Sequence, residues 1–284
     1  MEWRGLSQQA LEAQYNPRIA APDFEQHFVA YRQRSEAARA ALLGYYDIRY
    51  GDGPLQTYDA YPATQPGAPI FVIVHGGYWR GLDKSLHSFL APAYHAAGCA
   101  VVNINYDLAP KVTLDTIVAQ TQAALAHIAA HAARYNGDAS RMVVFGHSAG
   151  AHLAAAAYAL PWPAQLGPRP QATGLALVSG IYDLEPVLHI GVNQEIGLDG
   201  ATAQRNSLLH QAPRLPGCQT LIAVGGAEPQ AWRDQSDDFH RACRDAGNQA
   251  HLMQIAGAHH FSVLYAVEDV KQPLGGAILA LLKG

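Results

Sequence analysis

Gly146-His147-Ser148-Ala149-Gly150 sets a serine between two glycines, after the apolar run 142–145 and before the alanine-rich run 153–157. This is the G-x-S-x-G order of a nucleophilic serine on a tight strand-to-helix turn. Small neighbours leave room for a strained backbone, and the helix that starts after Ser148 points unpaired N–H groups at its oxygen. Serine is a weak nucleophile near neutral pH and needs a base within hydrogen-bond reach, itself oriented by an acid. Such an elbow takes both from loops after later strands, the acid first in chain order. Glu228, in Val224-Gly225-Gly226-Ala227-Glu228-Pro229, is the candidate acid, with Asp183, Asp234, Asp237 and Asp238 behind it. His259 and His260 follow the last strand-like run, and either can serve as base. Val74-His75-Gly76-Gly77-Tyr78-Trp79 follows another apolar run. Its glycines let the backbone turn amide groups toward a tetrahedral oxyanion, so Gly77, Tyr78 and Ala149 are the expected donors. His75 is expected to hold this loop rather than to act as a base.

Other chemistries find less support. Of the 14 histidines, only His127 and His131 stand four apart on a helix, and no H-E-x-x-H or acidic partner accompanies them. They read as a solvated helix face, and no metal is expected. No G-x-G-x-x-G follows the first strand and no phosphate-loop motif occurs, so no nucleotide cofactor is expected either. With 19 Lys and Arg against 23 Asp and Glu, the net charge is −4 without a basic patch, which argues against nucleic acid or an anionic membrane as partner. A small-molecule substrate is the expected partner, and a homodimer is left open. Cys99, Cys218 and Cys243 are odd in number and widely spaced, the pattern of buried thiols in a reducing cytoplasm. The first residues lack the apolar stretch of a signal peptide, and no run approaches a membrane span.

The elements that position these residues follow from hydrophobic period. Residues 70–74, 142–145, 175–178 and 219–224 are short apolar runs, as in strands buried on both faces. Residues 100–105 and 251–255 add two more strands, and 47–50 with 55–61 read as a hairpin. Helices are expected over 86–97, 114–135 and 231–246, with helical pieces from 263 onward. This alternation predicts an α/β fold, one domain over 1–284 with a mostly parallel sheet and helices on both faces. Asp23 is placed to cap a helix over 24–43, with Phe24, Phe28, Tyr31, Ala38 and Leu42 on one face. This N-terminal extension, 1–44, either caps the site or braces the back of the sheet. Residues 185–215, broken by Pro and Gly, read as a lid insertion.

Taken together, His75-Gly76-Gly77-Tyr78-Trp79, Gly146-His147-Ser148-Ala149-Gly150-Ala151-His152 and Ser179-Gly180-Ile181-Tyr182-Asp183-Leu184 resemble the α/β-hydrolase type of kynurenine formamidase (arylformamidase). That group lies close to the hormone-sensitive-lipase-like carboxylesterases. The resemblance runs from about residue 45 to the C-terminus, and Gln14-Tyr15-Asn16-Pro17-Arg18 shares in it. It implies an eight-stranded α/β-hydrolase sheet with a small cap, no cofactor, and hydrolysis of an N-formyl aryl amine such as N-formyl-L-kynurenine. It favours His260, just before Phe261, as the base, and an aromatic pocket from Tyr78, Trp79 and Tyr182, joined by His147. Two departures stand out. Tyr78 replaces the third glycine usual in the lipase-like esterases, and Glu228 stands where both groups usually carry aspartate. A short-acyl carboxylesterase is the alternative activity, and a non-catalytic binding protein of the same fold a remote one.

Overall fold

The computed structural model describes residues 5–209, 211–212 and 217–284. Eight strands form one sheet: β1 (Tyr45–Arg49), β2 (Thr57–Tyr61), β3 (Ala68–Val74), β4 (Ala100–Ile104), β5 (Gly137–His147), β6 (Gly174–Val178), β7 (Gln219–Gly225) and β8 (Gln249–Ile255). Their spatial order is β1-β2-β4-β3-β5-β6-β7-β8. β2 runs antiparallel to both β1 and β4, and every other neighbouring pair is parallel. The sheet has helices on both faces, the architecture of an α/β-hydrolase. Alternation builds its two cores. Ile70, Val72 and Val74 point into one apolar cluster with Met142 and Val144. Phe71 and Ile73 point into the opposite cluster with Val143 and Phe145. Both faces of the central strands are therefore dry, which explains why the strands read as unbroken apolar runs.

Three expected elements differ in detail. The helix expected over 86–97 is a 3₁₀ segment, Lys84–Leu90, followed by the helix Ala91–Ala96. Pro92, in the first turn of the second piece, has no N–H to continue a single helix. The long helix ends at Ala130 and passes through the 3₁₀ turn Ala132–Tyr135 to Asn136, whose left-handed φ of 60° releases the chain into β5. Asp23 precedes the helix Phe24–Ala41 but makes no side-chain cap to it. Its carboxylate instead faces His27 Nε2 at 3.2 Å and His259 Nε2 at 3.5 Å.

The N-terminal extension packs on the segment Lys84–Leu90, where Tyr31 stacks on Phe89 at 4.7 Å and Phe89 N–H donates to Ser35 Oγ at 3.1 Å, and on the C-terminal half of the chain. Gln8 Nε2 donates to His189 O at 2.5 Å, and Ala231 N–H donates to Gln14 Oε1 at 3.0 Å. Arg34 pairs with Glu268 at 2.5 Å, and the Phe24 and Phe28 rings contact Phe261. Residues 185–215 hold short helical turns, among them Asn193–Ile196 and Gly200–Asn206. Positions 210 and 213–216 of that stretch, and 1–4 of the extension, lie outside the described residues.

Candidate active site

β5 delivers Ser148 directly into the helix Ala149–Ala159, with φ 57° and ψ −123° at the serine. A non-glycine residue in that region is strained, and the surroundings hold it there. A Cβ on Gly146 would sit 2.1 Å from Gly150 O, and one on Gly150 would sit 2.1 Å from Val74 O. Both glycines are thus required by close backbone approach around the turn. Ser148 N–H donates to Val178 O at 2.9 Å, tying the elbow to the end of β6.

Ser148 Oγ lies 3.0 Å from His260 Nε2, and His260 Nδ1 lies 2.7 Å from Glu228 Oε2. All three residues are buried. The carboxylate is fully engaged, because Glu228 Oε1 also accepts from Ser179 Oγ at 2.5 Å and from Gly225 N–H at 2.7 Å. The structure therefore brings together Ser148, His260 and Glu228. His259 is turned away: its Nδ1 accepts from Phe261 N–H at 3.2 Å, and its Nε2 faces Asp23. The alternative acids are also elsewhere. Asp183 Oδ1 accepts from Glu185 N–H, while Asp234 and Asp238 bond to Gln230 and Arg241 on their own helix.

On the opposite side, Gly77, Tyr78 and Trp79 have φ values of 110°, 51° and 58°, three consecutive residues in the left-handed half of conformational space. The amides of Gly77, Tyr78 and Ala149 find no acceptor among the described residues. His75 stays below this loop, stacked on Tyr106 at 4.3 Å, with its ring nitrogens facing Gly76 O (2.7 Å) and Asn105 Oδ1 (3.0 Å). Tyr78 OH donates to Tyr15 O at 2.5 Å, so the N-terminal extension holds that ring in place.

Ser148 and His260 open into a cavity of about 360 Å³ whose apolar walls include Phe28, Tyr31, Leu82, Val192, Phe261 and Leu264. Of the expected pocket residues, Tyr78 and His147 line it. Trp79 and Tyr182 do not. Both are fully buried: Trp79 packs edge-on to His152, and Tyr182 stacks on Phe239 at 3.9 Å. Their aromatic character serves the core, which sequence could not separate from a pocket wall. His147 donates Nε2–H to His260 O at 2.8 Å. Burial first, then the neighbouring His260 and His87, holds its pKa well below the usual histidine value, so the ring stays neutral. Burial likewise pushes His87, another cavity residue, down to about 3.

Two supporting residues carried no catalytic signal in the sequence. Ser179, with φ 51°, aims its hydroxyl at Glu228. Trp232 packs over the His260 ring at 4.6 Å. Among the described residues, the ligand atoms of Asp23, His27 and His259 converge within 4.8 Å. The backbone donors at His259 Nδ1 put that ring's proton on Nε2, facing Asp23, which leaves no lone pair there for a metal. The cluster ties the helix Phe24–Ala41 to the histidine loop.

The BD-FAE family model matches residues 56–160, the segment from β2 to the end of the elbow helix. A kynurenine formamidase of Danio rerio is 30% identical over 99% of this chain and 98% of its own length. Esterase LipQ of Mycobacterium tuberculosis is 29% identical over 75% of this chain and 56% of its own. Among solved structures, a thioesterase candidate from Silicibacter sp. TM1040 superposes with a TM-score of 0.83 at 26% identity, over 96% of this chain and 99% of that one. Similarity at this level over essentially the full length of both chains settles the kinship: the protein is a hydrolase and belongs to the kynurenine formamidase family of α/β-hydrolases.

Proposed function

We propose that the enzyme removes the formyl group from an N-formyl aryl amine such as N-formyl-L-kynurenine, using Ser148, His260 and Glu228. What carries the reading is the unbroken chain from Ser148 Oγ to His260 (3.0 Å) to Glu228 (2.7 Å) at a cavity walled by aromatic and aliphatic side chains. Ser148 Oγ attacks the formyl carbon while His260 Nε2 takes its proton. The amides of Gly77, Tyr78 and Ala149 receive the oxyanion. Glu228, held by Ser179 and Gly225, stabilises the imidazolium and keeps the proton on Nδ1 when His260 is neutral. His260 then gives its proton to the departing aryl amine, and water activated by the same histidine releases formate from Ser148. Neutral His87 and His147 avoid adding positive charge beside the imidazolium.

The described residues of the N-terminal extension and of the 185–215 stretch act as the cap, contributing Tyr31 and Val192 to the cavity. Burial raises the thiols to about 11 in Cys99 and about 12 in Cys218 and Cys243, so they are unreactive, in keeping with a cytoplasmic enzyme. No helix among the described residues is long and apolar enough to cross a membrane.

The relationship to esterase LipQ supports a second reading, a short-acyl carboxylesterase with the same residues in the same roles. Measuring kcat/KM for N-formyl-L-kynurenine beside a p-nitrophenyl ester series, with Ser148→Ala as control, separates the two. Faster turnover of the formamide, lost in the variant, supports the formamidase. Strong preference for short esters with negligible formamide turnover replaces it with the carboxylesterase.

A further inference from the structure

Besides three histidines, four acidic or basic side chains line the cavity: Glu12, Arg18, Arg80 and Glu195. Arg80 and Glu195 neutralise one another at 2.7 Å. This leaves one cation, Arg18, and one anion, Glu12. The Arg18 guanidinium lies over the Phe24 ring at 5.2 Å and has no hydrogen-bond acceptor or ion-pair partner among the described residues. Its backbone is held, because Asn16 Oδ1 accepts from Arg18 N–H at 3.1 Å and Pro17 starts the short helix that carries it. Glu12 Oε1 accepts from Gly191 N–H and from Gln8 Nε2, while Oε2 takes no hydrogen bond among the described residues. The neutral His87 and His147 alter neither sign.

We infer that Arg18 and Glu12 form a receptor for the zwitterionic α-amino acid end of the substrate, Arg18 taking its carboxylate and Glu12 Oε2 its ammonium. The inference rests on the proposed function above and assigns the residues that recognise the charged end of its substrate. A guanidinium offers paired donors that match a carboxylate, and such charge-assisted contacts exceed neutral ones. An aryl group carrying an amino acid side chain would set its ring against the apolar wall and its charged end against these two residues. Because both come from the N-terminal extension, this segment would select the substrate while the sheet supplies the chemistry.

The test uses two pairs of substrates that differ only in the charged end. One pair is N-formyl-L-kynurenine and ortho-formamidoacetophenone. The other is O-acetyl-L-tyrosine and p-tolyl acetate. In the wild type, the zwitterionic member of a pair should show the higher kcat/KM. Arg18→Ala should collapse that ratio by about tenfold or more, the loss lying in KM, as expected when a hydrogen bond to a charged group is removed. Arg18→Lys should keep part of the preference, and Glu12→Gln should lower it without reversing it. An unchanged ratio in Arg18→Ala overturns the inference. So does an equal fall for both members of a pair, which would assign Arg18 to the fold. If neither formamide is turned over, the formamidase reading fails alone, and the ester pair decides this one.

Discussion

Replacing Glu228 by Gln probes the site without changing its shape. Three donors converge on the carboxylate: Ser179 Oγ and Gly225 N–H on Oε1, and His260 Nδ1–H on Oε2. A glutamine has one acceptor end and one donor end. Gly225 N–H is backbone and can only donate, so the amide oxygen must occupy the Oε1 position, where Ser179 also donates. The NH₂ group is then turned toward His260 Nδ1, which has to become an acceptor. The imidazole proton moves to Nε2, 3.0 Å from Ser148 Oγ, where it blocks the nitrogen that takes the serine proton in the proposed mechanism. A wrong tautomer of this kind in a serine triad costs kcat roughly ten-thousand-fold, or about 5.5 kcal/mol of barrier. KM should be little changed, because Glu228 does not line the cavity. Steady-state kinetics on the preferred substrate, with thermal melting to verify the fold, reads this directly. A folded Glu228→Gln enzyme that keeps kcat within tenfold of the wild type would refute the assignment of acid and tautomer together.

Two further expectations concern the elbow and the buried histidines. Gly150→Ala would place a Cβ 2.1 Å from Val74 O and 2.6 Å from His75 O, so the elbow and the end of β3 must separate. We expect roughly 1–3 kcal/mol or more of lost stability in urea melts together with loss of activity, whereas Gly200→Ala, which meets nothing within 4 Å, should be silent. His87 stays neutral in the fold down to about 3, while the unfolded chain takes up its proton near the ordinary value of 6.5. Its folded pKa is the lower one, so stability falls as pH drops below about 6.5 and returns as pH rises, by about 1.4 kcal/mol per pH unit. His87→Gln should lessen the slope of unfolding free energy against pH by that amount between about pH 5.5 and 4.5, and an unchanged slope would contradict the burial of a neutral ring.

Much of the architecture was legible because the signals are local. Strands buried on both faces need apolar residues at consecutive positions, and β3, β5, β6 and β7 show them. Helix limits were less legible where one residue ends the element, as Asn136 does with its left-handed backbone. The function of aromatic residues was least legible. Tyr78 faces the cavity while its neighbour Trp79 enters the core, and nothing in their types distinguishes them. Asp23 illustrates the same limit, since a capping residue type in a capping position was drawn to His27 and His259 instead.

Sequence by itself singled out the candidate nucleophile. The strained turn at Ser148 can exist only where residues two places away lack side chains, and Gly146 and Gly150 satisfy that within five positions. It also narrowed the candidate base to two adjacent histidines and pointed to Glu228 as the candidate acid on a loop after a late strand. Tertiary structure alone brought Ser148, Glu228 and His260 into one hydrogen-bonded line, separated His260 from His259, and added Ser179 and Trp232. It alone set Arg18 and Glu12 in the same cavity as the serine. The physical reason is range: backbone strain and apolar period depend on near neighbours in the chain. The direction a loop side chain takes depends on partners that folding brings from distant parts of the chain, 32 residues away for Glu228 and His260 and 112 for Ser148 and His260.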